Sequence, residues 1–221
     1  MNYFIDTNVA IGYTVVHDKW HEPSRDFINN CEDSIFWSNL VVKEYGEKLD
    51  EILDVIDEFL KICSSILRKN EMDFYSLFEF EMFILKKTSF CDLDDIKKQK
   101  IINHFWNKNN FTIGISTNLH SNFLRFADDF EEVYHQRDST LNKILKLHNC
   151  GLKNFIKYYE YALKLYNGGV HSPDCRIIVD AHDCGLKYDD LIFLTTDEKM
   201  FEAIIRQDTS YLKILEFKLC N

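Results

Sequence analysis

Four acidic residues lie where short apolar segments end or where helices are predicted to begin, and these are positions from which carboxylates can do chemistry. They are Asp6, Glu44, Asp174 and Asp197. Asp6 directly follows the apolar segment Tyr3–Ile5, and Asp197 follows Leu191–Leu194 after two threonines. Because an unpaired ionised carboxylate is costly to bury, Asp6 is expected to be at a strand end, in a pair or at a metal ion.

As a set, these four acids predict a divalent-ion site. Four carboxylates crowded to about 5 Å repel by roughly 3 kcal/mol per pair at an effective dielectric constant near 20. Such a cluster persists only with bound cations or with raised pKa values. Ligands that are all oxygen atoms favour Mg²⁺ or Mn²⁺ over Zn²⁺.

Each acid also has an ordinary structural explanation. Glu44 is compatible with a solvated helix position, and Asp174 and Asp197 with the favourable dipole at a helix N-terminus. Asp6 is compatible with an N-cap of the helix that follows it. The sequence leaves both interpretations open for each residue taken alone.

The elements that must position these acids alternate between strands and helices at both ends of the chain. Short apolar runs predict strands at Tyr3–Ile5, Ser34–Trp37, Leu191–Leu194 and Tyr211–Phe217. Ser38 is a predicted N-cap of a long helix, with Gly46 as a possible interruption. This alternation predicts an α/β fold with a mostly parallel sheet flanked by helices, in which strand-end residues meet at one edge.

The middle of the chain has a different pattern, mainly helical, from about residue 68 to residue 167. We interpret it as a large helical insertion in a single domain whose core is formed by about residues 1–67 and 168–221. Loops are predicted around residues 91–95 and 107–116.

Composition and charge restrict the classes of protein further. The apolar content of 46% is ample for a packed core, and no apolar run approaches the length of about 18 residues that a membrane-spanning helix needs. The seven cysteines are scattered without a CxxC pair, which argues against a disulfide framework or a zinc site and favours reduced thiols in the cytoplasm. The net charge of -10 arises at the two ends of the chain, while residues 61–170 carry 16 bases and 13 acids.

A row of lysines in this middle segment could contact a polyanion. If residues 142–166 form one helix, the lysines share one face of it. The lysines are Lys143, Lys146, Lys153, Lys157 and Lys164. One interpretation is a wall that contacts phosphates beside the site, with a steep salt dependence. The other is an ordinary solvent face. Arg176 and Lys199, each two residues from a candidate acid, are further candidates for phosphate contact.

Four segments resemble, in order, the motifs of PIN-domain nucleases. They are YFIDTNVAIG, SNLVVKEYGEKL, PDCRIIVDAHDCG and LIFLTTDEKMF. The resemblance implies a PIN-like fold in which Asp6, Glu44, Asp174 and Asp197 are both the catalytic and the metal-binding acids. It also implies that Asn8 and Thr195 are supporting polar residues. The 129 residues between Glu44 and Asp174 exceed the length in compact family members, so the resemblance implies nothing about their role.

The implied activity is metal-dependent hydrolysis of RNA phosphodiester bonds with Mg²⁺ or Mn²⁺, in RNA processing or as a toxin-like endoribonuclease. An RNA substrate is expected, and an antitoxin-like protein partner or a homodimer is possible. One alternative is a PIN-fold binding module without turnover. Another is an aspartyl-phosphate phosphatase, although Asn8 replaces the second aspartate that such an enzyme uses. Asp180 and Asp183 point away from Asp174 on the predicted helix, so a solvated or structural role is expected for both.

Overall fold

A parallel five-stranded sheet forms the centre of the fold in the computed structural model, which describes residues 1–70, 72–150 and 152–221, without the side chains at 116, 117 and 152–154. The strands are β1 (Asn2–Ile5), β2 (Ser34–Ser38), β3 (Lys146–His148), β4 (Leu191–Thr195) and β5 (Glu216–Leu219). Their spatial order is β3-β2-β1-β4-β5, and every neighbouring pair is parallel. The predicted α/β class with a parallel sheet flanked by helices is confirmed.

Helices connect the strands throughout the described chain. They are α1 (Thr7–Thr14), α2 (His21–Asn30), α3 (Asn39–Lys69), α4 (Leu77–Lys87), α5 (Asp95–Lys108), α6 (Ser116–Ile144), α7 (Leu152–Lys157), α8 (Tyr159–Asn167), α9 (Ser172–Gly185) and α10 (Glu198–Ile205). Helix α3 continues through Gly46 without interruption, and the Ser38 hydroxyl accepts a hydrogen bond from the Val41 N–H, as an N-cap does. None of the described helices is both long enough and apolar enough to cross a bilayer.

The two strands that carry Asp6 and Asp197 are neighbours in the middle of the sheet. Residues of β1 and β4 pair in register, Phe4 with Phe193 and Ile5 with Leu194. Phe4, Ile5 and Phe193 are fully buried. A strand buried on both faces reads as a continuous apolar run, which is why the sequence predicted both strands. After β1 the chain adds β2 and β3 on one side of it, and then β4 and β5 on the other side. The order in which strands are added therefore reverses between β1 and β4.

Two predicted elements differ from the structure. The segment predicted as one helix over residues 142–166 contains the end of α6, β3, α7 and α8. Pairing of β3 with β2, Leu147 beside Trp37 and His148 beside Ser38, outweighs the local helical spacing. The last strand is also shifted from residues 211–217 to Glu216–Leu219, because pairing with Ile192–Thr195 sets its register.

The chain divides into two compact units, residues 1–48 with 137–221, and residues 49–136. The sheet lies in the first unit. The limits of the two units lie inside α3 and α6, whereas the predicted insertion runs from about residue 68 to residue 167. Residues 137–167 belong to the first unit because β3 joins the sheet and α8 packs against α9. In the second unit, residues of α4, α5 and α6 pack around an aromatic core that includes Phe80, Phe105 and Phe123.

Candidate metal centre

Asp6 lies at the carboxyl end of β1, with only 2% of its surface exposed. It caps α1, because its Oδ1 accepts a hydrogen bond from the Val9 N–H at 3.0 Å. Its Oδ2 accepts a hydrogen bond from the Thr195 hydroxyl at 2.5 Å. Each carboxylate oxygen can accept two interactions, so both oxygens retain a position for a metal ion. The capping role and a metal-binding role are therefore compatible.

Thr195 connects Asp6 to Asp197 at the end of β4. The Thr195 side chain is fully buried, and its Oγ1 accepts a hydrogen bond from the Asp197 N–H at 2.9 Å while its hydroxyl donates to Asp6. Asp197 caps α10, with Oδ1 accepting from the Met200 N–H at 2.9 Å. The single hydroxyl thus fixes two of the predicted acids relative to each other.

Glu44 is half-buried on α3 and is held by two hydrogen-bonding groups. The Thr7 hydroxyl donates to Glu44 Oε2 at 3.0 Å. The Lys48 Nζ lies 2.7 Å from Glu44 Oε1, one helical turn away. Since Thr7 directly follows Asp6, this contact joins α3 to the end of β1. A metal ion would share Glu44 with the Lys48 ammonium or displace it.

Asp174 lies in the first turn of α9, directly after Pro173, and it is half-buried. Burial raises the pKa of Asp174, and the charges of Asp197 and Glu44 raise it further. These interactions place Asp174 in the same electrostatic environment as the other predicted acids.

Asp6 is affected most by this environment. Its pKa is raised from 3.8 to about 7, mainly by burial and also by the charges of Asp174 and Asp197, against hydrogen bonds from Thr195 and Val9 that lower it. A buried acid with a raised pKa and all-oxygen neighbours fits a divalent cation that binds oxygen, such as Mg²⁺ or Mn²⁺. Among the described residues, however, no three of these acids bring ligand atoms within 4.8 Å of one another. An ion would therefore contact some of them through water or draw them inward.

A cavity of about 430 Å³ opens beside Asp197. Its lining includes Asn8, which is half-buried on α1, and the exposed Lys199 on α10. Lys19 and Trp20 also line it, with the Lys19 Nζ 4.5 Å from the centre of the Trp20 ring. The lining holds three carboxylates, those of Asp18, Asp197 and Glu198, with two lysines and one aromatic ring. The lysines and the ring are groups that suit a nucleotide.

The remaining predicted cations do not form one row. The exposed Lys143 ends α6, Lys146 donates to the Ser34 hydroxyl at 2.7 Å, and Lys157 donates to the Tyr158 hydroxyl at 2.7 Å. The Arg176 guanidinium lies 5.1 Å from the centre of the Phe155 ring. The side chain of Lys153 lies outside the described residues. The predicted lysine face of a single helix is wrong, because these residues belong to separate elements.

A second group of side chains was missed in the sequence. Asp180 and Asp183, for which a solvated or structural role was expected, are each only 7% exposed, which excludes a solvated position. Asp183 lies with His148 and Cys150 so that one ligand atom of each falls within 4.8 Å of the others. The two-residue spacing of His148 and Cys150 is a weak signal, and only the pairing of β3 brings them to α9.

Comparison of the chain with protein-family models, curated proteins and solved structures found no match. The resemblance to PIN-domain nucleases therefore rests on the four sequence segments. The α/β class and the arrangement of the four acids around β1 and β4 are observations of this chain itself.

Proposed function

We propose that the protein is a metal-dependent endoribonuclease of the PIN type, with Asp6, Glu44, Asp174 and Asp197 as its metal-binding acids. The observation that carries the proposal is the buried Asp6 at the end of β1, with the charges of Asp174 and Asp197 acting on it; together with burial they raise its pKa to about 7. A carboxylate in this position is difficult to explain by capping alone, because a cap needs no additional acids beside it. Asp6 lies at the carboxyl edge of a parallel sheet, at the point between β1 and β4 where the strand order reverses. This is a common ligand position in α/β proteins.

Mg²⁺ or Mn²⁺ would supply an activated water and stabilise charge on the leaving oxygen. The residues of the chain orient this chemistry. Asp6 presents its free lone pairs while Val9 and Thr195 fix its plane, and Thr195 holds Asp197 beside it. Thr7 holds Glu44. Hydroxyl groups that position acids in this way commonly determine metal affinity through ligand orientation.

Two lysines and one aromatic ring of the cavity beside Asp197 support a nucleic-acid substrate, and a metal ion would offset the three carboxylates of its lining. Lys199 and Lys19 can contact phosphate oxygens, and Trp20 offers a face on which a base can stack. Asn8 lies on the same wall and can donate a hydrogen bond to a phosphate or to a metal-bound water. RNA is the substrate class we propose, and the antitoxin-like partner and the homodimer remain predictions.

Cleavage of RNA by the purified full-length chain tests the proposal. We expect cleavage of labelled single-stranded or structured RNA with Mn²⁺ or Mg²⁺, and loss of cleavage with a chelator. Replacing Asp6 or Asp174 by asparagine removes a proposed metal-binding carboxylate, so the rate should fall by at least the ~10–100-fold that loss of an outer partner costs. Glu202→Gln is the matched control, because Glu202 is exposed on α10 and pairs with Arg206. Undiminished cleavage by Asp6→Asn would contradict the proposal.

A binding module without turnover is the second candidate. The separation of the acids and the ion pair between Glu44 and Lys48 favour it, because both leave the acids short of a compact ligand set. RNA binding without cleavage, and without a change of affinity on addition of Mn²⁺, would support this candidate over the nuclease. The aspartyl-phosphate phosphatase has no observation in its favour, since Asn8 stands in place of its second acid.

A further inference from the structure

His148, Cys150 and Asp183 form a cluster, here called the His-Cys-Asp cluster, that the proposed nuclease chemistry does not use. Their ligand atoms lie within 4.8 Å of one another, and His148 Nε2 is 3.0 Å from Asp183 Oδ2. His148 is 4% exposed and Asp183 is 7% exposed. Three different ligand types, nitrogen, sulfur and oxygen, therefore converge, two of them on buried residues and the third on the partly buried Cys150.

The fold brings these groups together from two distant segments. His148 ends β3 beside Ser38 of β2, and Cys150 follows two residues later. Helix α9 presents Asp180 and Asp183, which are one turn apart and therefore on the same face. Asp180 accepts hydrogen bonds from the Ser38 hydroxyl and from the Cys150 thiol. Asp180 thus contacts Cys150, although its carboxylate is not among the ligand atoms that lie within 4.8 Å of one another.

We propose that this cluster is a structural Zn²⁺ site, with His148, Cys150 and Asp183 as ligands and Asp180 completing the set. Thiolate and imidazole ligands favour Zn²⁺ over Mg²⁺ or Mn²⁺. A tetrahedral ion about 2.0–2.3 Å from its ligands separates the ligand atoms by roughly 3.3–3.6 Å. The 3.0 Å between His148 Nε2 and Asp183 Oδ2 is a few tenths of an ångström shorter. An ion would fit there after a small outward movement, with the proton of the neutral imidazole carried on Nδ1.

Side chains around the cluster form hydrogen bonds and an ion pair with its Asp183 carboxylate. The Tyr158 hydroxyl donates to Asp183 Oδ1 at 3.1 Å, which leaves Oδ2 on the side of His148. The Lys187 Nζ lies 3.6 Å from Asp183 Oδ2 and partly offsets the excess negative charge that two carboxylates and a thiolate leave on a divalent ion. Hydrogen-bonded outer partners of this kind orient ligands in metal sites.

The surroundings shift the pKa values of Asp183 and Cys150 in opposite directions in the ion-free protein. Burial raises the pKa of Asp183, but hydrogen bonds from His148 and Tyr158 and the charge of Lys187 outweigh it and hold the pKa below its usual value. Burial and the charges of Asp180 and Asp183 raise the pKa of the Cys150 thiol. Zn²⁺ binding would release the thiol proton of Cys150, and the raised pKa of this thiol opposes that step.

Three ligand atoms are already close together, and an inward movement of Asp180 would close the site with a fourth. A closed site is typical of structural rather than catalytic zinc. Its ion would join the segment after β3, the edge strand of the sheet, to α9. Because α9 also carries Asp174 in its first turn, the ion would stabilise the element that presents a candidate catalytic acid. The zinc site itself does not depend on the proposed nuclease activity.

Zinc titration of the full-length chain against a chromophoric chelator, after removal of metal and with thiols reduced, tests the site. We expect one tightly bound equivalent. Cys150→Ser should weaken it by at least the ~100-fold upper range for loss of an outer partner. Cys31→Ser is the matched control, since Cys31 is the other cysteine that is only partly buried and it lies outside the cluster. Absence of zinc binding by the wild type, or equal affinities of the two variants, would overturn the proposal.

Cobalt binding to the wild-type chain tests the zinc site without the need for a substituted protein that folds. Co²⁺ in this site should show a thiolate charge-transfer band and the visible absorption of tetrahedral coordination, and zinc should abolish both. Bound zinc should also protect Cys150 from alkylation, which peptide mapping can assign. Co²⁺ spectra without a thiolate band would overturn the proposal.

The Asp6→Asn variant separates this site from the proposed nuclease centre. We expect it to bind zinc with wild-type affinity while its RNA cleavage is lost. Loss of zinc from Asp6→Asn, with retention in Cys150→Ser, would assign the ion to the four acids instead and overturn the zinc proposal.

Discussion

Replacing Asp6 by asparagine should stabilise the metal-free protein at neutral and alkaline pH, although it removes a side chain of the proposed active site. Burial raises the pKa of Asp6 from 3.8 to about 7, so the native state holds its proton more tightly than the unfolded chain does. Below pH 3.8 both states are protonated and the charge has no effect. Between pH 3.8 and 7 stability falls as pH rises, and above pH 7 the loss is constant.

The magnitude follows from the size of this shift. A difference of about 3 pKa units at about 1.4 kcal/mol each corresponds to about 4 kcal/mol of lost stability above pH 7. Asparagine has nearly the same shape, carries no charge and can still accept the Val9 hydrogen bond that caps α1. We therefore expect Asp6→Asn to raise the free energy of unfolding by up to about 4 kcal/mol at pH 8, with little effect at pH 4.

Urea denaturation at pH 4, 6 and 8, with a chelator present, measures this difference. Saturating Mn²⁺ at pH 8 should reduce it, because the ion stabilises the ionised wild-type site but not the variant. A variant that is equally stable or less stable than the wild type at pH 8 would refute the reasoning. A pH-independent gain would also refute it, since the effect would then not arise from the charge of Asp6.

Three further substitutions test other parts of the structure by denaturation. Thr195→Val should lower the free energy of unfolding by about 1–3 kcal/mol, because the buried Asp6 and the Asp197 N–H both lose a partner; no change would contradict that role. Asp183→Asn should lower the free energy of unfolding at pH 7, and this loss should shrink as the pH falls below 4, because the pKa of Asp183 is lowered in the native state. A loss of stability that persists at low pH would argue against this cause. Phe105→Ala should cost about 3–5 kcal/mol because the ring is fully buried, whereas the control Phe78→Ala, at a position 70% exposed, should change stability by less than about 0.5 kcal/mol; equal effects would contradict the assigned core.

The middle of the sheet and the acids at its edge could be predicted because local sequence carries the relevant information. Strands β1 and β4 are continuous apolar runs, and each is followed by a polar residue that caps the next helix. The edge rule for parallel sheets then brings Asp6 and Asp197 together without knowledge of the remaining chain. Burial of Asp6 also follows, since it directly continues a buried strand.

Strand β3 could not be predicted, because its three residues carry no pattern of their own. Lys146, Leu147 and His148 are surrounded by residues at helical spacing, and only the long-range pairing with β2 makes them a strand. Everything that depends on β3 was consequently missed, including the division of the lysine row and the His-Cys-Asp cluster. The spacing of residues in a sequence indicates which side chains are neighbours on one helix or strand. The His-Cys-Asp cluster is formed between two separate elements, so spacing does not reveal it.

The most direct test of the central claim is the anomalous diffraction of crystals soaked in Mn²⁺ at a pH above 7. The account predicts an anomalous peak at the carboxyl edge of the sheet, in contact with a carboxylate oxygen of Asp6 and with Asp174 or Asp197, directly or through water. A peak confined to other parts of the molecule, or no peak beside Asp6 at saturating Mn²⁺, would contradict it.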